Sequence, residues 1–214
     1  GGQARVIFSE RHGLPGPVGA IRRQADGTLW FGPEYGACRY NGRSLTWLTK
    51  VGESKLQGVE ALSSSPDGLL WLGSRQGLIR YDPNSISAYD SKDGLPIQVL
   101  GRMYAVRDQS LWLGTLGEGA FHFEGQSWTH YTTADGLPGS TPHAFGLTLG
   151  GELWIAGSDG LAKWNPGYKT GGERSFTRLE LKTPAPDQSV DLVATAQTGQ
   201  VWFGHRHGLI RVDD

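Results

Sequence analysis

The chain has 214 residues, with 20 Lys and Arg against 21 Asp and Glu, for a formal net charge of −1. That balance argues against nucleic acid as an obligatory partner, because a phosphate-binding surface shows as a basic excess. The apolar runs are only a few residues long, so no segment reads as a transmembrane span or a signal-peptide core. One Cys excludes an internal disulfide and any cysteine-cluster zinc site.

Gly1-Gly2 reads as a processing remnant and is set aside. Arg5-Val6-Ile7-Phe8-Ser9 reads as a strand, and Gly13-Leu14-Pro15 as a loop after it. Val18-Gly19-Ala20-Ile21 then predicts a strand A, Asp26-Gly27 a turn, and the segment carrying Trp30 a strand B. A tight turn over Pro33-Glu34-Tyr35 leads to a strand C ending near Tyr40, and Leu45-Thr46-Trp47-Leu48 is a strand D.

The same order recurs. Trp30, Trp71, Trp112, Trp154 and Trp202 are spaced by 41, 41, 42 and 48 residues, four of them preceded by a Gly-containing turn. Counterparts of strand A start near Val59, Leu100 and Val190; strand C recurs as Gly77–Tyr81 and Gly208–Val212, and strand D as Ser127–Tyr131. Gly-Leu-Pro returns at 94–96 and 136–138. A period near 42 with four short strands belongs to propeller blades, and no apolar positions at helical spacing compete with it.

The expected fold is therefore all-β: one domain over 1–214, a five-bladed β-propeller with four antiparallel strands per blade. The last blade has strands A, B and C, and the strand at 5–9 is expected to supply its D strand and close the ring, pairing edges that an open array would expose. The excess residues of the fourth repeat fall around Pro166–Gly172 and read as a C–D loop.

Asp-Gly-Leu-Pro, an apolar strand, and then Asp-Gly-x-Leu-Trp-x-Gly-(Ser/Thr)-x-x-Gly-Leu-x-x-Tyr resemble the two-component regulator propeller repeat. The likeness covers essentially the whole chain and is best at 67–82 and 93–116. It implies an extracytoplasmic, periplasmic or secreted ligand-recognition module, like the sensor regions of hybrid histidine kinases; related propellers include the streptogramin B lyases. The chain departs from those sensors in having five repeats where they carry many more, and in lacking a membrane segment or kinase region. A signalling output is not carried over.

Eleven residues before each strand-B Trp stand Gly19, Glu60, Gly101, His143 and Asp191, and one residue later Ala20, Ala61, Arg102, Ala144 and Leu192. Ionisable groups beside glycines at one repeat position predict a central polar site in which Glu60, His143 and Asp191 supply polarity and Arg102 holds an anionic group. A His with two carboxylates suits acid/base chemistry or a metal. Charged residues of inner strands can also simply line a wet channel.

The B–C turns are the second candidate set. Glu34 and Tyr35, Ser74-Arg75-Gln76, Thr115–Glu118, Gly157-Ser158-Asp159 and His205-Arg206-His207 are all different, which argues against five equivalent sugar sites. His205-x-His207 places two imidazoles on one side of an extended chain, a weak candidate pair for a divalent metal such as zinc or copper. Tyr35 is the turn aromatic suited to stacking, whereas the strand-B Trp residues and Tyr40, Tyr81, Phe123 and Trp164 read as packing between blades.

No nucleophile elbow, zinc-binding helix or phosphate loop is present, and Cys38 reads as a packed residue. The first expectation is a binding or sensing module for a small-molecule or carbohydrate ligand, without a cofactor, without nucleic acid and without membrane insertion. The alternatives are a lyase or hydrolase using Glu60 and His143, and a scaffold presenting its top face to a protein partner.

Overall fold

The computed structural model describes residues 9, 11, 13–14, 16–95, 102–106, 109–167, 175–180, 189–196, 200–206 and 208–212. Among them, strands dominate and helix is confined to short 3-10 turns. Four sheets have four antiparallel strands each: β1–β4 (Val18–Arg23, Leu29–Pro33, Ala37–Tyr40, Leu45–Leu48), β7–β10 (Ala61–Ser64, Leu70–Ser74, Gly77–Asp82, Ser85–Tyr89), β11–β14 (Arg102–Ala105, Leu111–Gly114, Ala120–Glu124, Ser127–Tyr131) and β15–β18 (Pro142–Leu147, Leu153–Gly157, Gly160–Trp164, Phe176–Leu179). A further sheet has three strands, β19–β21 (Val190–Thr195, Val201–His205, Gly208–Val212), and β5 (Lys50–Val51) pairs with β6 (Ser54–Lys55) as a small hairpin. In every larger sheet the strands pair in chain order, as the repeat predicts for propeller blades. The strand proposed at 5–9 lies outside the described residues but for Ser9, as does the loop around 168–174.

The chain forms two compact units. One comprises residues 1–100 and 105–108, the other 101–104 and 109–214.

In the first unit, Trp30 on β2 is 2% exposed and packs edge-on against Tyr81 of the neighbouring sheet, ring centroids 4.8 Å apart. Its indole N–H donates to Gln24 Oε1 at 2.8 Å, and the Gln24 amide donates in turn to the Gly68 carbonyl at 2.7 Å. Leu56, Val59, Leu70, Leu72 and Ile79 complete this core. Burying each such side chain contributes about 1.5–3 kcal/mol.

In the second unit, Trp112 packs against Phe145, Trp164 and Phe176 of the adjacent sheet. Trp154 packs with Val190, Val201, Phe203 and Val212. Inter-sheet packing therefore accounts for these indoles, as their repeat position predicts. Trp202 is partly exposed, with the Arg211 guanidinium 5.8 Å from its ring.

The Asp-Gly-Leu-Pro loops are backbone devices. Asp93 closes a capping box around a 3-10 turn at Ser91–Asp93, Gly94 takes φ 85° as the cap, and Leu95 is buried. Thr132, Asp135, Gly136 (φ 101°) and Leu137 repeat the arrangement. In both copies the Leu N–H donates to the carbonyl five residues back, as does that of Leu14 to Ser9. In the second repeat, where Lys55-Leu56-Gln57 stands in place of Gly-Leu-Pro, the β5–β6 hairpin serves instead, with Leu56 N–H donating to the Thr49 carbonyl and its side chain buried. An apolar Leu is the element this loop retains.

Candidate functional site

In three of the sheets the position eleven residues before the strand-B Trp is a bulge. The register of β1 on β2 shifts between Val18 and Ala20, that of β15 on β16 between Pro142 and Ala144, and that of β19 on β20 between Val190 and Leu192. Gly19, His143 and Asp191 are thus the extra residues of their strands. Glu60 precedes Ala61, which pairs with Gly73, and the Glu60 N–H donates to that same Gly73 carbonyl at 3.0 Å. A bulge bends its strand and re-aims one side chain out of the alternation. Facing it stand Gly32, Gly73, Ala156 and Gly204, and at Gly32 even a methyl group would run into the Val59 carbonyl and side chain. Gly101 lies outside the described residues, and Arg102 opens β11 with an exposed side chain.

In the first unit the bulge borders a cleft of about 330 Å³ lined by Pro17, Val18, Gly19, Pro33, Glu34, Gly58, Glu60 and Arg75, among others. Its walls are pinned by main-chain bonds. Gly58 N–H donates to the Glu34 carbonyl at 2.7 Å, Gly36 N–H to Leu56 at 2.9 Å, and Arg75 N–H to Gln57 at 3.3 Å. Tyr35 pairs with Gln57 in an isolated bridge and is 53% exposed. The loop 56–58 is thereby clasped by the two B–C turns on either side.

The charged groups of this cleft are Glu34, Glu60 and Arg75. Arg75 Nε lies 3.5 Å from Glu60 Oε1, with both side chains about half exposed. Gly58 seats the arginine: a Cβ there would fall 2.7–2.9 Å from Arg75 Nε, Cγ and Cδ. The Glu34 carboxylate lies beside Gly16.

In the second unit, His143 Nδ1 lies 2.9 Å from Asp191 Oδ1 and 3.2 Å from the Val190 carbonyl. Two oxygen acceptors around one ring nitrogen hold the proton on Nδ1 and leave Nε2 as the basic atom, the tautomer a general base needs. Ser189 donates its hydroxyl to the same Asp191 oxygen at 3.2 Å. His205 ends β20 and is buried, while His207 lies outside the described residues. Among the described residues, no three His, Cys, Asp or Glu side chains gather as a metal site requires.

The sequence-predicted residues thus fall into two groups: Glu34, Tyr35 and Glu60 in the first unit, and Arg102, His143, Asp191 and His205 in the second. The bulge pairs His143 with Asp191, and the turn brings Glu60 to Arg75. Arg75, one of the variable turn residues, is the charged partner of Glu60.

A scan of protein-family models and a search of curated proteins return no match. Solved structures share the fold. BT3049 of B. thetaiotaomicron, an extracellular domain named as part of a hybrid two component system, aligns with a TM-score of 0.70 at 19% identity, over 96% of this chain and 28% of that one. The extracellular domain of BT4673 from the same organism, named as a one component system, aligns with a TM-score of 0.67 at 18% identity, over 92% of this chain and 29% of that one. Virginiamycin B lyase from Staphylococcus aureus aligns with a TM-score of 0.64 at 15% identity, covering 91% of this chain and 69% of the lyase. The chain spans less than a third of the length of the two extracellular domains it matches. Its structural neighbours are therefore sensor-region and lyase propellers, as the repeat resemblance implied.

Proposed function

We propose that the chain is an extracytoplasmic ligand-binding propeller module whose ligand, a small polar molecule or a carbohydrate, is held at the bulge residues and adjoining B–C turns. The observation that carries this reading is the chemistry at the bulge. Three sheets bulge at one repeat position, where the residue is Gly, His or Asp, and a fourth carries Glu60 at the same position. Packing between sheets has no use for such variety, whereas a ligand needs different groups at different points. The extracellular origin of the two bacterial neighbours supports the compartment, and no described helix is long and apolar enough to cross a membrane. Part of the same proposal is that the sheets are five blades, with residues 5–9 as the fourth strand of the last.

A panel of monosaccharides, disaccharides and small charged metabolites, screened by thermal shift and followed by calorimetry, tests the reading. At least one compound should raise the melting temperature of the wild type and lose at least tenfold in affinity with Glu60→Ala or His143→Ala. A panel without a single binder overturns it.

The His143–Asp191 pair favours a second reading, a lyase or hydrolase in which His143 Nε2 removes a proton and Asp191 orients the ring. A histidine-to-alanine variant of the similar lyase is catalytically inactive and was seen with quinupristin. Turnover of quinupristin by the wild type and its loss in His143→Ala would establish this activity; no turnover by the wild type removes that substrate.

A further inference from the structure

We infer that the first-unit cleft binds a free α-amino acid with a small apolar side chain, Arg75 taking the carboxylate and Glu34 with Glu60 the ammonium group. This rests on the ligand-binding reading above and names the ligand class for the first-unit cleft alone.

The Arg75–Glu60 contact is loose. Arg75 Nε stands 3.5 Å from Glu60 Oε1, longer than a hydrogen bond of ordinary length, between side chains about half exposed. An arginine pairs best with a carboxylate through two parallel N–H donors, and half-exposed single contacts contribute little. Exchanging this pair for ligand contacts therefore costs little. A ligand with one charge would leave the other member of the pair without a partner. A zwitterion satisfies both, its carboxylate on the guanidinium and its ammonium on Glu60, so that one loose internal pair becomes two external ones.

The surroundings fit such a ligand. Glu34 adds a second carboxylate on the same cleft, so the lining carries two negative charges and one positive. A lone anion is thereby disfavoured, and an ammonium group is accommodated. The missing side chain of Gly58 fixes where the Arg75 stem lies, and the main-chain bonds of loop 56–58 hold both B–C turns. Less ordering entropy then remains to be lost on binding. Pro17, Val18 and Pro33 form the apolar part of the wall, and Gly19 lines it without a side chain. A cavity of about 330 Å³ stands at the small end of the range for ligand pockets, about 300–1,000 Å³.

Calorimetry and ligand-observed NMR on the whole chain test this with L-valine, N-acetyl-L-valine and L-valinamide, which carry both charges, the negative charge only and the positive charge only. L-Valine should bind at least tenfold more tightly than either capped form. Arg75→Gln and Glu34→Gln should each weaken it at least tenfold. The comparison among the three compounds uses the unaltered protein and so does not depend on a variant folding. Equal binding of a capped form, or unchanged affinity in Arg75→Gln, overturns the inference. If valine fails while a saccharide binds the wild type and not Glu60→Ala, this inference falls and the ligand-binding reading stands. If no compound of either set binds, both fall.

Discussion

The imidazole of His122 lies flat against the indole of Trp112, with ring centroids 4.2 Å apart and an interplanar angle of 11°. Trp164 meets the same imidazole edge-on at 5.2 Å, and His122 is 4% exposed. Removal from water pushes its pKa down from 6.5 to about 4.

That depression has a definite pH signature. As pH falls below about 6.5, the unfolded chain takes up a proton that the folded chain refuses until about 4, so stability is lost across that window. The loss amounts to at most about 3 kcal/mol, since one pKa unit is worth about 1.36 kcal/mol. Denaturant melts from pH 7.5 to 4.5 should show this slope. His122→Phe, which keeps a flat ring between the two indoles, should flatten it. An unchanged slope in that variant assigns the acid sensitivity to other groups.

Asp191 should fix the tautomer of His143. At pH 8, ¹⁵N shifts of the wild-type ring should report a proton on Nδ1, held by Asp191 and the Val190 carbonyl. Asp191→Asn removes the charge and presents an amide that can turn its N–H₂ toward the ring. The spectrum should then move toward a mixture of tautomers. Thermal stability should change by less than about 1 kcal/mol, because the pair is partly exposed.

Gly58→Ala should act on both backbone and cleft. Its φ of 58° lies in the left-handed region, where a non-glycine residue costs about 1–3 kcal/mol. The added methyl group would also displace the stem of Arg75. Reduced melting temperature together with at least tenfold weaker ligand binding is expected. A variant that loses stability but keeps full affinity would separate the seating of Arg75 from binding.

Deleting residues 1–9 tests the proposed closure. If the strand at 5–9 pairs beside β21, the deletion removes ladder bonds and apolar burial together. A fall in melting temperature of roughly 10 °C, with association through the freed edge, should follow. Unchanged stability and a monomeric deletion variant would remove that strand from the last sheet.

The sheets were legible in the sequence because each strand B carries its Trp at a fixed distance from a turn, and the strands found follow that period. The role of the Asp-Gly-Leu-Pro loop was legible only as a turn. That Asp93 and Asp135 accept from the capping backbone, and that Leu95 and Leu137 are buried, follows from three-dimensional packing. The polar repeat position was visible, but its nature as a bulge was not, since a bulge is a property of two strands together. Arg75 was visible only as one of several variable turn residues, for a related reason. An arginine in a surface turn resembles any solvated cation until Gly58, seventeen residues away along the chain, is seen to make room for it.

At a paired strand position, the side chain answers to its cross-strand neighbour and to the alternation of inside and outside. The extra residue of a bulge answers to neither. Replacing Gly19, His143 or Asp191 therefore leaves the ladder on both sides in step, and each of these three sheets offers one place where chemistry can be rewritten without renegotiating the scaffold. On the proposed reading, such a molecule could drift from one ligand to another by single substitutions while its architecture stays still.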